Sequence, residues 1–219
     1  MTTILHIDAS ARPGQSGTDP HGSHTRRLSS YFIRRWRERF PEDKVVYRDV
    51  GAQPPAVVTG DWVHAAFTKP EDRVPWMHGV LAESDTLVGE LFAADTIVAG
   101  VPMYNFGVPA PFKAYIDNVV RVGRTFGFER RGDNVSYWPM LPEGKRLVLL
   151  SSRGDVGYDK GGPLEHSNHV EPQVKTAFAY IGLTDVWSAA AEYDEYGGDR
   201  LAVSLTAAER DIDGYVREA

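Results

Sequence analysis

The sequence predicts an α/β protein built on a parallel sheet wound by helices on both faces. Three observations predict it. Short apolar runs of strand length alternate with longer amphipathic runs of helical period. One run, Thr96–Val101, is nearly all apolar, as a strand buried on both faces of a parallel sheet must be. The composition, 42% hydrophobic and 25% charged, is that of an ordinary globular chain, which excludes disordered and collagen-like architectures. No Pro/Gly/Ser-rich linker divides the 219 residues, so one domain over 1–219 is expected.

The elements follow in order. Thr3–Ile7 reads as the first strand and Thr25–Phe40 as an amphipathic helix with Leu28, Phe32 and Trp36 on its apolar side. Lys44–Arg48 is a second strand. Gly51–Gly79 carries Pro54, Pro55, Pro70, Pro75 and scattered aromatics, which suits a long excursion better than regular structure. A helix is expected from Val80 to Ala93, then the central strand Thr96–Val101. Pro111 suits a first helical turn, and Phe112, Tyr115, Ile116 and Val119 keep helical spacing beyond it. Arg146–Ser151 is a fourth strand, Val170–Ile181 a helix, Thr184–Ala190 a fifth strand and Leu205–Arg217 a terminal helix. In such sheets ligands bind at the carboxyl ends of the strands, so the loops after strands one, three and four are where function is expected.

Composition narrows the chemistry. There is no cysteine, which removes disulfides, thiolate metal sites and thiol nucleophiles. The start, MTTILHIDAS, has no basic region before its short apolar run, and no stretch reaches the roughly 18 apolar residues of a membrane helix, so a soluble cytoplasmic chain without a membrane partner is expected. The net charge of −6 disfavours nucleic acid. The basic run of Arg26, Arg27, Arg34, Arg35, Arg37 and Arg39 reads as a solvated helix face. His6 reads as a core histidine. His64, His78, His166 and His169 lack metal-ligand spacing, and no GxSxG elbow is present.

Two loops carry candidate chemistry. The first runs from Asp8-Ala9-Ser10 to Ser23-His24-Thr25, where hydroxyls meet a helix N-terminus and its free N–H groups, a setting for a phosphate; taken by itself, Ser23 reads first as a plain helix cap. It contains neither GxGxxG nor GxxxxGK[ST], against a dinucleotide fold or a Walker NTPase. The loop after the central strand, Pro102-Met103-Tyr104-Asn105-Phe106, puts flat apolar surface and an amide at the binding rim, or else packs as core.

Together, Ser10, Ser23-His24-Thr25, Pro102-Met103-Tyr104-Asn105-Phe106 and Ser152-Arg153-Gly154 resemble the flavodoxin-like FMN-dependent NADH:quinone oxidoreductases, the azoreductase family. The similarity runs nearly the whole length, through Phe112–Asp117, Gly123–Phe126 and Tyr180–Val186. It implies a five-stranded doubly wound sheet of order 2-1-3-4-5. It also implies that FMN is the cofactor, its phosphate held by Ser10, Ser23, His24 and Thr25. Met103, Tyr104, Asn105 and Phe106 match the segment lining the isoalloxazine, and Ser152, Arg153, Gly154 and Asp155 the loop beside its pyrimidine edge. No side chain is implied as a nucleophile: NADH or NADPH delivers hydride to the flavin, leaves, and a quinone or azo acceptor takes its place. Backbone N–H groups around Asn105 and Gly154 are implied at the two flavin edges, with Phe106 and Phe128 as walls of the slot and Tyr137 and Trp138, within Asn134–Leu141, as part of a lid. A homodimer is the family expectation. Two features depart from the family pattern: the first loop is longer by Gly14–Gly22, and Asp155 stands where many relatives have a second glycine. A non-enzymatic FMN electron carrier of the flavodoxin type is the alternative.

Overall fold

The computed structural model describes residues 1–219. Strands β1 (Thr3–Asp8), β2 (Lys44–Asp49), β3 (Thr96–Pro102), β6 (Arg146–Ser152) and β7 (Asp185–Ala191) form one parallel sheet in the order β2-β1-β3-β6-β7. This is the predicted 2-1-3-4-5 order, with the two numbers skipped belonging to a hairpin, β4 (Phe126–Arg131) and β5 (Asn134–Pro139). Every residue of β3 is buried, as its unbroken apolar run requires of the central strand.

Strand alternation sends Leu5, Ile7 and Ala9 to one face and Ile4 to the other. On the first face, α3 (Pro75–Ala93), α4 (Ala110–Val119) and α5 (Glu171–Tyr180) supply Leu87, Leu91, Phe112, Tyr115, Val174 and Phe178. On the second, α1 (His24–Arg39) and α6 (Gly198–Glu218) bring Leu28, Phe32, Trp36, Leu205 and Ile212. Phe32 is fully buried there, so its truncation to alanine would cost about 3–5 kcal/mol.

The structure corrects several expectations. The proline-rich excursion contains helix α2 (Gly60–Phe67) and a short 3₁₀ turn, and α3 begins at Pro75 rather than Val80. Thr59 caps α2 by accepting from Trp62 N, while Trp62, Ala65 and Ala66 bury against Met77 and Leu81 of α3. Pro75 sits in the first turn of α3, where its missing N–H is no loss. Helix α6 starts at Gly198, seven residues before Leu205. Arg26 is not on a solvated face. It is buried, paired with both carboxylate oxygens of Asp49 and donating to the carbonyls of Ser10 and Arg12. Arg27 and Arg35 pair with Glu209 and Asp213 of α6, so part of the basic run is neutralised within the fold. His6 is buried as expected, with Nε2 3.5 Å from Asp8 and no hydrogen bond.

Candidate active site

Three loops meet at the carboxyl end of the sheet, after β1, β3 and β6. In the first, Ser23 is the N-cap of α1: its Oγ accepts from Arg26 N at 3.2 Å and lies 3.0 Å from Thr25 Oγ1. Because the cap uses the oxygen, the hydroxyl proton stays free to point elsewhere. Ser10, also buried, accepts from Arg12 N. The Gly14–Gly22 stretch folds back on its own stem, with Ser16 N donating to Ser23 O and Ser23 N to Gly14 O. This brings Ser16 Oγ to 2.7 Å from His24 Nδ1.

The second loop is a tight turn. Tyr104 N donates to Gly107 O at 2.9 Å and Gly107 N returns the bond to Tyr104 O at 3.1 Å. The two central residues, Asn105 (φ 47°) and Phe106 (φ 71°), both lie in the left-handed region. Asparagine tolerates that conformation, but for phenylalanine it costs about 1–2 kcal/mol, and strain of this kind collects at functional sites. The surroundings hold it in place. Met103 N donates to Ser152 O, His169 N to Phe106 O, and Ala11 N to the Tyr104 hydroxyl, which also lies 3.4 Å from Ser10 Oγ. Tyr104, Asn105 and Phe106 face solvent while Met103 packs against the core.

In the third loop Ser152 and Arg153 are buried. The Arg153 guanidinium is spent on carboxylates: Nη2 to Glu171 at 2.7 Å, Nη1 to Asp159 at 2.8 Å and to Glu192 at 3.1 Å. Burial opposes the charge of Glu171, yet Arg153 and the Ser151 hydroxyl hold its carboxyl below the usual range. Arg153 therefore anchors the loop from beneath. Asp155 does not adopt a left-handed backbone, so the strain expected if it replaces a glycine does not arise. Its carboxylate is occupied by Val156 N and the Tyr196 hydroxyl.

In each of these loops a pair of backbone N–H groups has no hydrogen-bond partner within the chain: His24 and Thr25, Asn105 and Phe106, Gly154 and Asp155. Each pair presents two donors that no acceptor of the chain uses and that a ligand bearing acceptors can take. The first pair heads a helix N-terminus beside the Ser23 and Thr25 hydroxyls, which suits a phosphate. The other two suit acceptor atoms on a flat, polar-edged ring. Residues and chemistry thus fit a flavin mononucleotide.

Phe128 lies on the hairpin, its ring 6.5 Å from Phe67 and 6.0 Å from Tyr137, which reaches Tyr180 at 5.8 Å. The Trp138 ring lies over Gly127, where a Cβ would meet it at 2.3 Å. Sequence reasoning missed Glu171, Glu192, Asp194 and Tyr196, which hold the loops from behind. Isolated acids such as Glu171 carry no motif; only Glu192, Asp194 and Tyr196 are marked, by the clustering Glu192-Tyr193-Asp194-Glu195-Tyr196 directly after a strand.

The sheet order and the loops at its carboxyl end define a flavodoxin-like protein, and the family model for the flavodoxin-like fold matches residues 2–215. The chain is 40% identical to the FMN-dependent NAD(P)H:quinone oxidoreductase 1 of Pseudomonas aeruginosa, over 100% of both chains. It is 41% identical to the FMN-dependent NADH:quinone oxidoreductase 2 of Idiomarina loihiensis, over 95% of this chain and 86% of that one. An azoreductase structure from Bacillus anthracis matches over 100% of both chains with a TM-score of 0.85 at 23% identity, a likeness of fold. The chain belongs to the FMN-dependent NADH:quinone oxidoreductase family.

Proposed function

We propose that the protein is an FMN-dependent oxidoreductase that passes hydride from NAD(P)H to quinones, and to azo compounds that fit the same slot. The observation that carries this reading is the set of three unpaired N–H pairs on three loops of one sheet end. The names of the relatives, FMN-dependent NADH:quinone and NAD(P)H:quinone oxidoreductase, support it over a non-enzymatic carrier. FMN when bound supplies the atom that accepts hydride and gives it up again.

The chain's own residues bind and orient. Ser10, Ser23, Thr25 and the N–H groups of His24 and Thr25 take the phosphate in the field of the α1 N-terminus. The N–H groups of Asn105 and Phe106 donate to one ring edge, and Met103 and Tyr104 supply the surface beneath. The N–H groups of Gly154 and Asp155, next to Ser152 and Arg153, would hold the pyrimidine edge as hydrogen-bond donors. Phe106 and Phe128 wall the slot in which donor and acceptor alternate, and Tyr137 and Trp138 border it.

A cytoplasmic homodimer completes the reading. The dimer is supported by the exposed aromatic side chains of Phe67, Phe106, Tyr137 and Trp138, residue types that subunit contacts favour. The test is oxidation of NADH and NADPH with 1,4-benzoquinone by protein loaded with FMN. Saturable turnover that disappears when FMN is stripped is expected; tight FMN binding with no turnover would return the alternative, an electron carrier.

A further inference from the structure

The segment after β7 touches both the phosphate loop and the pyrimidine-edge loop. Asp194 N donates to Arg153 O at 3.2 Å and Glu195 N to Gly154 O at 3.0 Å, so the backbone of 194–195 runs beside the loop bearing the Gly154 and Asp155 amides. The Asp194 side chain reaches the other way. Its Oδ1 lies 3.0 Å from His24 Nε2, and its Oδ2 lies 3.4 Å from Arg12 Nη1. A hydrogen bond from His24, with burial opposing, keeps this carboxyl below its usual range, so it is an acceptor only and His24 Nε2 carries the proton. His24 Nδ1 faces Ser16 Oγ of the Gly14–Gly22 stretch at 2.7 Å. Tyr193, immediately before Asp194, holds φ 72°, a conformation a non-glycine residue adopts only under constraint.

We infer that Asp194 is a positioning residue that fastens the phosphate loop to the pyrimidine-edge loop, through His24 on one side and its own backbone on the other. This rests on the reading of the site as an FMN site. A ligand gains from the fastening only if it touches both loops, because only then does a fixed separation spare it the cost of ordering them. FMN spans both; riboflavin, without a phosphate, does not.

The experiment is a fluorescence titration of the stripped protein with FMN and with riboflavin, for wild type, Asp194→Ala, Asp194→Asn and His24→Phe. Asp194→Ala is expected to weaken FMN about tenfold, as for loss of one charge-assisted hydrogen bond, and riboflavin by less than about twofold. Asp194→Asn keeps an acceptor for His24 Nε2 and is expected to recover most of the FMN affinity. His24→Phe cuts the same link from the other end should Asp194→Ala fail to fold, and the double variant should lose no more than either single one. Equal weakening of FMN and riboflavin would reduce Asp194 to a general structural role and overturn the inference. So would unchanged FMN affinity, or tighter FMN binding in both Asp194 variants, which is what a carboxylate that merely repels phosphate would give. Failure of the FMN reading itself shows in wild type alone, as no preference for FMN over riboflavin.

Discussion

Arg153→Met removes the cation that three carboxylates share. The side chain is 2% exposed, and of its partners Glu171 is the most deeply placed, at 9%. Asp159 is exposed and can turn to water, and Glu192 keeps the Gly157 and Tyr158 N–H groups, but Glu171 would keep only the Ser151 hydroxyl, and its Oε2 has no partner even in the intact protein. Breaking a buried pair from one side costs about 3–5 kcal/mol. For a chain of this length a kcal/mol moves Tm by about 2–4 °C, so a fall of about 6–20 °C is expected. The pH dependence should also reverse. In wild type the Glu171 carboxyl is held below its unfolded value, so its contribution is present above about pH 4.3 and is lost as pH falls through the lower folded value. In Arg153→Met burial acts nearly unopposed and raises the folded value above the unfolded one, so acidification now favours the fold. Calorimetry at pH 7 and pH 5 reads both effects. Adding Glu171→Gln should restore most of the lost stability, because it removes the stranded charge. A Tm within about 2 °C of wild type at pH 7, or an unchanged pH slope, would refute the anchoring role.

Further outcomes are expected. Ser23→Ala should weaken FMN by about tenfold to a hundredfold and leave riboflavin nearly unaffected, since a hydrogen bond to a charged group contributes about 1.5–3 kcal/mol; the lost cap should appear separately as about 1 kcal/mol in denaturant unfolding. Asn105→Gly should keep FMN affinity because glycine accepts φ 47°, whereas Asn105→Val, β-branched, should open the turn and weaken FMN in the same titration. Gly51→Ala places a Cβ 2.2 Å from Ser10 O, so displacement of the Ser10 loop should lower both Tm and FMN affinity; a wild-type melting curve would show that the loop yields freely. Initial rates with NADH and benzoquinone should give parallel double-reciprocal lines, and converging lines would end the idea of one slot used in turn.

The sheet was legible because parallel strands bury both faces: the apolar runs at Thr3, Thr96 and Arg146 each continue one residue further than their sequence signal, and nothing more. Helix α2 was obscured because its eight residues bury only Trp62, Ala65 and Ala66, too few to show a period amid prolines. The hairpin β4–β5 escaped notice because every β5 residue is exposed, so no core-facing alternation marks it. Its Gly132-Asp133 turn, with Gly132 at φ 61°, was the available signal. Of the candidate site, the loop residues form contiguous strings that can be picked out locally. The groups that hold those loops, Arg26 with Asp49, Glu171 with Arg153, Asp194 with His24, join positions 18 or more residues apart, and no local pattern links them.

The most direct test of the account is an assigned ¹⁵N–¹H spectrum of the stripped protein titrated with FMN. The amides of His24, Thr25, Asn105, Phe106, Gly154 and Asp155 have no acceptor within the chain and should exchange solvent for a ligand acceptor when FMN binds. These six are predicted to move furthest, and inorganic phosphate alone to move only His24 and Thr25 among them. Large shifts elsewhere, with these six unmoved at saturating FMN, would contradict the site.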